Sequence, residues 1–189
     1  FAVARAGVRR GMKVVLIAGP VALKTPAGVE RVDVVSARQM LSAVERALSK
    51  AKEEGGECIF VSTAAVADFR PRTASKKKIK KSSAETLLRL VRNPDILKTV
   101  CAKRSRGIFA KDLKLVGFAA ETGLPVEEGL RKCREKGLEF IVANDVTKPG
   151  CGFATTTNEA YIIKNDGFIF KTPLMTKDRL AKIILDFAT

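Results

Sequence analysis

The sequence predicts an α/β protein: a Rossmann-like, mostly parallel sheet with helices on both faces, finished by a C-terminal β-hairpin and a closing helix. Three observations carry this expectation. Four short, nearly continuous apolar runs rich in β-branched residues, "MKVVLIAG" (12–19), "CIFVSTAAV" (58–66), "LKLVGFAA" (113–120) and "LEFIVAND" (138–145), read as strands buried on both faces of a parallel sheet. Segments with apolar residues at helical spacing separate them, giving a β-α-β alternation whose crossovers are right-handed. Near the end, "AYIIKNDGFIFK" places two alternating runs on either side of Asn165, Asp166 and Gly167, a strong hairpin signal.

The elements follow in order. The chain opens inside a helical pattern, "FAVARAGVRRG", that feeds directly into the first apolar run. A βαβ sheet places a strand and a turn before such a helix, so residues 1–189 read as a single domain whose first strand and first loop are missing. "SARQMLSAVERALSK" sets Met40, Leu41, Val44, Ala47 and Leu48 on one stripe behind Ser36 as N-cap. "SAETLLRLV" and "DILKTVCAKRSR" read as helices after the second run, with Asn93 capping a helix that begins at Pro94. "PVEEGLRKCREKG" starts with Pro125, carries Glu127 and Glu128 in its first turn and stops at Gly137, as dipole and capping rules favour. "MTKDRLAKIILDF" closes the fold as an amphipathic helix capped by Thr176, with Leu180, Ile183, Ile184 and Phe187 turned inward.

Composition narrows the function classes. With 189 residues and 46% hydrophobic content the chain supports one sizeable core. No run approaches the roughly 18 apolar residues that cross a membrane, and no secretory cleavage pattern is present, so a cytoplasmic protein without membrane contact is expected. Four dispersed cysteines, no CxxC pair and no histidine argue against structural zinc and histidine base chemistry. A formal charge of +15 attracts nucleic acid, phosphate or any polyanion without choosing among them. The basic residues lack the interleaved aromatics of single-strand binders, so no specific nucleic-acid partner is expected. Neither GxGxxG nor GxxxxGK[ST] occurs, which removes the glycine fingerprint that a dinucleotide redox enzyme would need.

Ligands of open α/β sheets sit beyond the carboxyl ends of the strands. Those ends read "AGPVALKTP", "TAAVADFRP", "AAETGLP" and "ANDVTKPG", each combining small residues with polar groups, and three carry an acid: Asp68, Glu121 and Asp145. Ala64, Ala65 and Val66 permit close backbone approach of a base or ribose, Asp68 offers an acceptor for a hydroxyl or exocyclic amine, and Phe118 a surface to pack on. Each has a structural alternative: close helix packing for the alanines, core for Phe118, an Asx turn for Asn144 and Asp145. In "RNPDILK" the helix start at Pro94, Asp95, Ile96 and Leu97 presents unsatisfied amides, although Asp95 there disfavours phosphate and suits a sugar or metal ion.

Five lysines fall within the six positions Lys76 to Lys81. At about 6 Å, two like charges repel by roughly 0.7 kcal/mol in bulk water and about 3 kcal/mol at an effective dielectric of 20. An anion with several phosphates removes that cost, so residues 70–85 read either as a solvated surface or as a flap over an anionic substrate. Lys132 and Lys136, four apart, share a helix face and read either as a surface pair or as further anion contacts.

Taken together, "AGPVALKTPAGVERVDVVSARQM", "STAAVADFRP", "KKKIKK", "RNPDIL", "VGFAAET" and "IVANDV" resemble bacterial and archaeal phosphopantothenoylcysteine synthetase, in order and with compatible spacing from Phe1 to about Phe187. The resemblance implies a dimeric, cytoplasmic ligase of coenzyme A biosynthesis, in many bacteria fused behind a flavin decarboxylase. Its substrates would be 4'-phosphopantothenate and cysteine. Its cosubstrate would be CTP with Mg2+, through an acyl-cytidylate, with ATP and an acyl-adenylate as the alternative. By the same resemblance Lys78 is the flap lysine that stabilises charge in the reaction. Ala64, Ala65, Asp68, Pro94, Asp95, Ile96, Leu97 and Phe118 hold the nucleoside, Lys132 and Lys136 contact nucleotide phosphates, and Asn144 and Asp145 belong to a substrate segment. Metal ligands are not assigned. The family's first strand, Gly-rich phosphate segment and an asparagine tied to the acyl intermediate would all precede Phe1.

Overall fold

The computed structural model describes residues 1–73, 87–123, 125–152 and 154–189. Three parallel strands, β3 (Ile59–Ser62), β6 (Lys114–Glu121) and β7 (Phe140–Asp145), form the centre of the main sheet, and the hairpin strands β9 (Tyr161–Lys164) and β10 (Ile169–Lys171) extend it antiparallel in the order β10-β9-β7-β6-β3. The hairpin turns at Gly167, whose φ of 96° suits a residue without a Cβ.

The pleat distributes side chains to two cores. Leu115 and Ala119 of β6 and Ile141 and Ala143 of β7 face one side, where they meet α2 (Ala37–Glu54), α3 (Ile96–Ser105) and α4 (Pro125–Glu135) through Val44, Leu48, Ile96, Leu97, Val100 and Cys133. Val116, Phe140 and Val142 face the other, against Leu180, Ile184 and Ala188 of α5 (Lys177–Ala188). Helix α1 (Ala2–Arg9) packs on α5 through Ala6, Ala181 and Leu185. Helices on both faces of a parallel-centred sheet are the architecture expected. Ser36 caps α2 by accepting from Gln39 N at 3.3 Å, and Thr176 caps α5 by accepting from Arg179 N at 3.3 Å. On α5, Leu180 and Ile184 are buried, while Ile183 and Phe187 pack on the core from its partly exposed margin.

Three expectations are corrected, and one strand is found that was not expected. Val29–Asp33 forms a strand, β2, that its half-polar sequence does not announce. The first apolar run, β1 (Val14–Ala18), pairs in parallel with this β2 rather than joining the strands at 58–66 and 113–120. Leu90–Arg92, the end of the "SAETLLRLV" pattern, is a strand, β5, held antiparallel to β4 (Phe69–Pro71). The rest of that expected helix lies partly outside the described residues, and Leu87 to Arg89 are not helical. Finally, α3 is capped by Asp95, not Asn93: Asp95 Oδ1 accepts from Lys98 N at 3.0 Å.

Between β1 and β3 lies a cavity of about 940 Å³. Val14 to Ile17 line one side and Cys58 to Ser62 the other, with Met40, Val44 and Leu48 of α2 on a third side and Val3, Ala4 and Gly7 of α1 on a fourth. Ala18 O accepts from Val34 N, next to β2, and Cys58 O accepts from Lys114 N of β6. Since backbone groups alternate sides along a strand, those of Val15, Ile17, Ile59 and Val61 point into the gap. The gap also explains why β3 is only half-buried along its length although its residues are those of a fully buried strand.

Candidate functional site

The cavity continues to the carboxyl end of β3, where Thr63, Ala64, Val66, Ala67 and Asp68 form its wall. Opposite stand Asn93, Pro94, Asp95, Ile96 and Leu97, with Phe118 of β6 and Lys136. Of the residues singled out from sequence, Ala64, Asp68, Pro94, Asp95, Ile96, Leu97, Phe118 and Lys136 therefore meet around one space. Ala65, Lys132, Asn144 and Asp145 are not part of its lining. Lys78 and most of the 70–85 segment lie outside the described residues.

Asn93 fixes this wall, a role not visible in sequence beyond its place before a proline. Its N–H donates to Asp68 O at 2.7 Å, its Nδ2 donates to Ala67 O at 2.7 Å, and its Oδ1 accepts from Arg70 Nη1 at 3.0 Å. Three hydrogen bonds thus tie the approach to α3 onto the exit of β3, so the Ala64–Asp68 backbone and the α3 N-terminus keep a fixed spacing. Ala64, Ala65 and Asp68 are exposed and open to a ligand. Ile96 and Leu97 are buried in the core, so what they can offer a ligand is backbone rather than side chain. Phe118 is half-buried: it packs on the second core and lines the cavity as well.

The cations at the C-terminal end of α4 and in the turn after it are placed by close packing. Gly129 sits where a Cβ would come within 2.6 Å of Ile163 Cδ1, which lets the helix lie directly on the sheet. On the resulting face, Lys136 Nζ pairs with Asp95 Oδ2 at 2.9 Å and Lys132 Nζ with Glu121 at the end of β6. Burial tends to raise the Asp95 carboxyl, but the Lys98 N–H and the Lys136 ammonium outweigh it and hold the group below its ordinary value. Asp145 Oδ1 accepts from Thr147 N at 2.9 Å and from Thr147 Oγ1 at 2.6 Å, the Asx turn weighed from sequence. Those bonds hold its carboxyl low as well, the side-chain one first. Asn144 beside it is buried.

Among the described residues no group of three or more His, Cys, Asp or Glu could hold a metal. Mg2+ remains compatible with this donor set, because it is commonly held by one or two carboxylates together with substrate phosphates. No helix among the described residues is long and apolar enough to cross a membrane.

A parallel-centred α/β sheet flanked by helices, with small residues, two acids and a helix N-terminus gathered around a cavity at a strand exit, defines the class: an α/β protein whose candidate ligand site lies at the carboxyl end of a parallel strand. Comparison with known proteins gives the family. The model described as DNA/pantothenate metabolism flavoprotein C-terminal domain matches residues 1–189, and the chain belongs to that family. It is 39% identical over 189 residues to the coenzyme A biosynthesis bifunctional protein CoaBC of Escherichia coli (strain K12), covering 98% of this chain and 44% of that protein. The chain thus spans less than half the length of this curated relative. Among solved structures, the C-terminal domain of a coenzyme A biosynthesis bifunctional protein CoaBC superposes with a TM-score of 0.75 at 34% identity, covering 98% of this chain and 77% of that one. A Cab2 mutant in complex with phosphopantothenate-cysteine shares the fold at a TM-score of 0.70 and 13% identity, over 99% of this chain and 75% of that one.

Proposed function

We propose that this chain is the ligase part of a coenzyme A biosynthesis protein, joining cysteine to 4'-phosphopantothenate with a nucleoside triphosphate. One observation carries the reading: in a member of this family, Ala64, Asp68, Pro94, Asp95, Phe118 and Lys136, distant in sequence, line a single cavity at a strand exit. The nucleotide is CTP, with Mg2+ travelling on its phosphates; ATP is the alternative. Supporting the choice of substrates, the related CoaBC proteins are named for coenzyme A biosynthesis and the Cab2 structure holds phosphopantothenate-cysteine.

In this mechanism a carboxylate oxygen of phosphopantothenate attacks the α-phosphorus, forming the acyl-cytidylate and expelling pyrophosphate. The cysteine amine then attacks the acyl carbon, losing a proton as CMP leaves. The chain's residues bind and orient. The Ala64–Ala65 backbone and Asp68 hold the nucleoside, the α3 amides at Ile96 and Leu97 face its polar edge, and Phe118 packs beside it. Lys132 and Lys136 meet phosphate oxygens, and Lys78 neutralises charge as pyrophosphate departs. Asn144 and Asp145 shape the substrate end. Mg2+, when bound with the nucleotide, supplies further neutralisation of the phosphates. Such chemistry needs fixed positive charge and no histidine.

The gap between β1 and β3 is read as the place of one further parallel strand, which makes residues 1–189 an incomplete domain. Homodimerisation, fusion to a flavin decarboxylase and a cytoplasmic setting belong to the same reading. The test is pyrophosphate release by the full-length polypeptide with CTP, with ATP, and with either nucleotide lacking phosphopantothenate. Release is expected only with CTP and phosphopantothenate together. Background rates in every arm would defeat the ligase, and salt-sensitive binding to many unrelated duplexes would favour the nucleic-acid alternative.

A further inference from the structure

We propose that Glu121, and with it Asp95, is a built-in competitor for the nucleotide's phosphates: the site admits a polyanion by exchanging carboxylate oxygens for phosphate oxygens at Lys132 and Lys136. The inference rests on the reading above, which gives those lysines to phosphate. Its starting point is an asymmetry along α4 and the turn that follows it. Arg131, on the exposed side, takes its partners from the helix itself, Glu128 at 2.6 Å and Glu135 at 2.8 Å. Lys132 and Lys136 instead take theirs from other elements, Glu121 at the end of β6 and Asp95 at the cap of α3.

Both pairs therefore close contacts between the C-terminal part of α4, with the turn that follows it, and the strand-exit region. Glu121 is the stronger competitor because it is the less hydrated: its side chain is 17% exposed against 45% for Asp95. A carboxylate offers the same charged oxygen acceptors as a phosphate and saturates the same ammonium donors. A lysine already neutralised attracts a passing polyanion weakly, so on a chain of net charge +15 the paired lysines are withheld from nonspecific anions. A multivalent phosphate placed by the rest of the site, bringing more charge than one carboxylate, displaces it. Glu121 acts through Lys132 and touches no reacting atom; its effect is on anion affinity and partner choice.

The test is a double-mutant cycle read by calorimetric titration of the full-length polypeptide with inorganic pyrophosphate, free of magnesium. Glu121→Gln keeps the shape and a hydrogen-bond acceptor but removes the charge. It should tighten pyrophosphate binding by about threefold to tenfold at low salt, with the gain shrinking as salt rises. Glu121→Asp, which keeps the charge, should stay within about twofold of the parent. In a Lys132→Met background the gain from Glu121→Gln should fall below about twofold, because the donor being contested is gone. Unchanged or weaker binding by Glu121→Gln overturns the competitor role and makes Glu121 a support for Lys132. A gain that persists in the Lys132→Met background overturns it also, since the carboxylate would then act by bare repulsion. If Lys132→Met alone binds as well as the parent, the phosphate role of Lys132 falls, and the competitor role with it. Unfolding midpoints of all variants separate these outcomes from misfolding.

Discussion

Substituting alanine for Gly129 tests how α4 is seated and so how its lysines are aimed. Two effects oppose each other. In a helix interior alanine is favoured over glycine by about 0.8–1.0 kcal/mol. Against that, the new Cβ would lie 2.6 Å from Ile163 Cδ1 and 3.2 Å from the Ala143 Cβ, and both neighbours are fully buried. Overpacking of this kind costs about 1–3 kcal/mol, so the overpacking wins and Gly129→Ala should destabilise by roughly 1 kcal/mol, up to about 2. The companion change is Ile163→Val, which deletes the Cδ1 atom itself at a cost of about 0.5–1.5 kcal/mol. With the 2.6 Å contact removed, only the 3.2 Å contact opposes the helix preference, and Gly129→Ala becomes neutral or stabilising. The double variant should then exceed the sum of the singles by about 1 kcal/mol or more. Urea unfolding followed by circular dichroism reads this, provided the slope against denaturant is unchanged. Additivity within about 0.5 kcal/mol would refute the argument, since it would mean that α4 does not rest on Ile163.

Three further outcomes follow from the site. Lys78→Ala should leave folding intact, because it relieves like-charge repulsion, and should reduce product formation by about a hundredfold or more; Lys76→Ala should lose far less. Near-parental turnover by Lys78→Ala would remove Lys78 from the mechanism. Asp95→Asn keeps a capping side chain but loses the charge facing Lys136, so a few tenths to about 1 kcal/mol should be lost near neutral pH. Because the folded Asp95 titrates below its ordinary value, its contribution is present above that value and disappears as pH falls through the folded one. The difference between parent and variant should therefore close in acid, and a gap that widened there would contradict the sign. Burial first, and then the Glu139 carboxylate, push the Cys133 thiol up to about 11, and its side chain is fully buried. Alkylation at pH 8 followed by peptide mass spectrometry should find Cys133 unmodified until the protein unfolds. Labelling of the folded protein within minutes would mean that α4 opens.

Much of this molecule was legible because local chemistry and tertiary structure agree. Ser36 and Thr176 cap where a hydroxyl before an apolar stripe must, Gly167 turns the hairpin, and the apolar runs of β6 and β7 are buried on both faces as their composition requires. The small residues and acids at the strand exits likewise pointed to Ala64, Asp68 and Phe118, which line one cavity.

What the sequence did not contain was pairing. Leu90–Arg92 carries residues that suit helix or strand equally, and only the ladder to Phe69–Pro71 settles it. The sequence points to Asn93 as the cap of α3, but Asp95 takes that place because the polar groups of Asn93 are committed to Ala67, Asp68 and Arg70. The pairing of β1 with β2 joins residues fifteen apart in sequence, Val14 with Val29, and the cavity that separates β1 from β3 lies between segments more than forty residues apart; no local pattern encodes either. The same holds for Lys132 and Lys136. Their spacing put them on one helix face, but whether they were free surface charges or ion-paired was decided by Glu121 and Asp95, brought to them from a strand end and a helix cap by the packing of α4 on the sheet. Residue type and spacing determined which elements form and which groups gather at their ends; three-dimensional packing decided which of those groups meet, because hydrogen bonds and ion pairs are short-ranged and the chain that carries them is long.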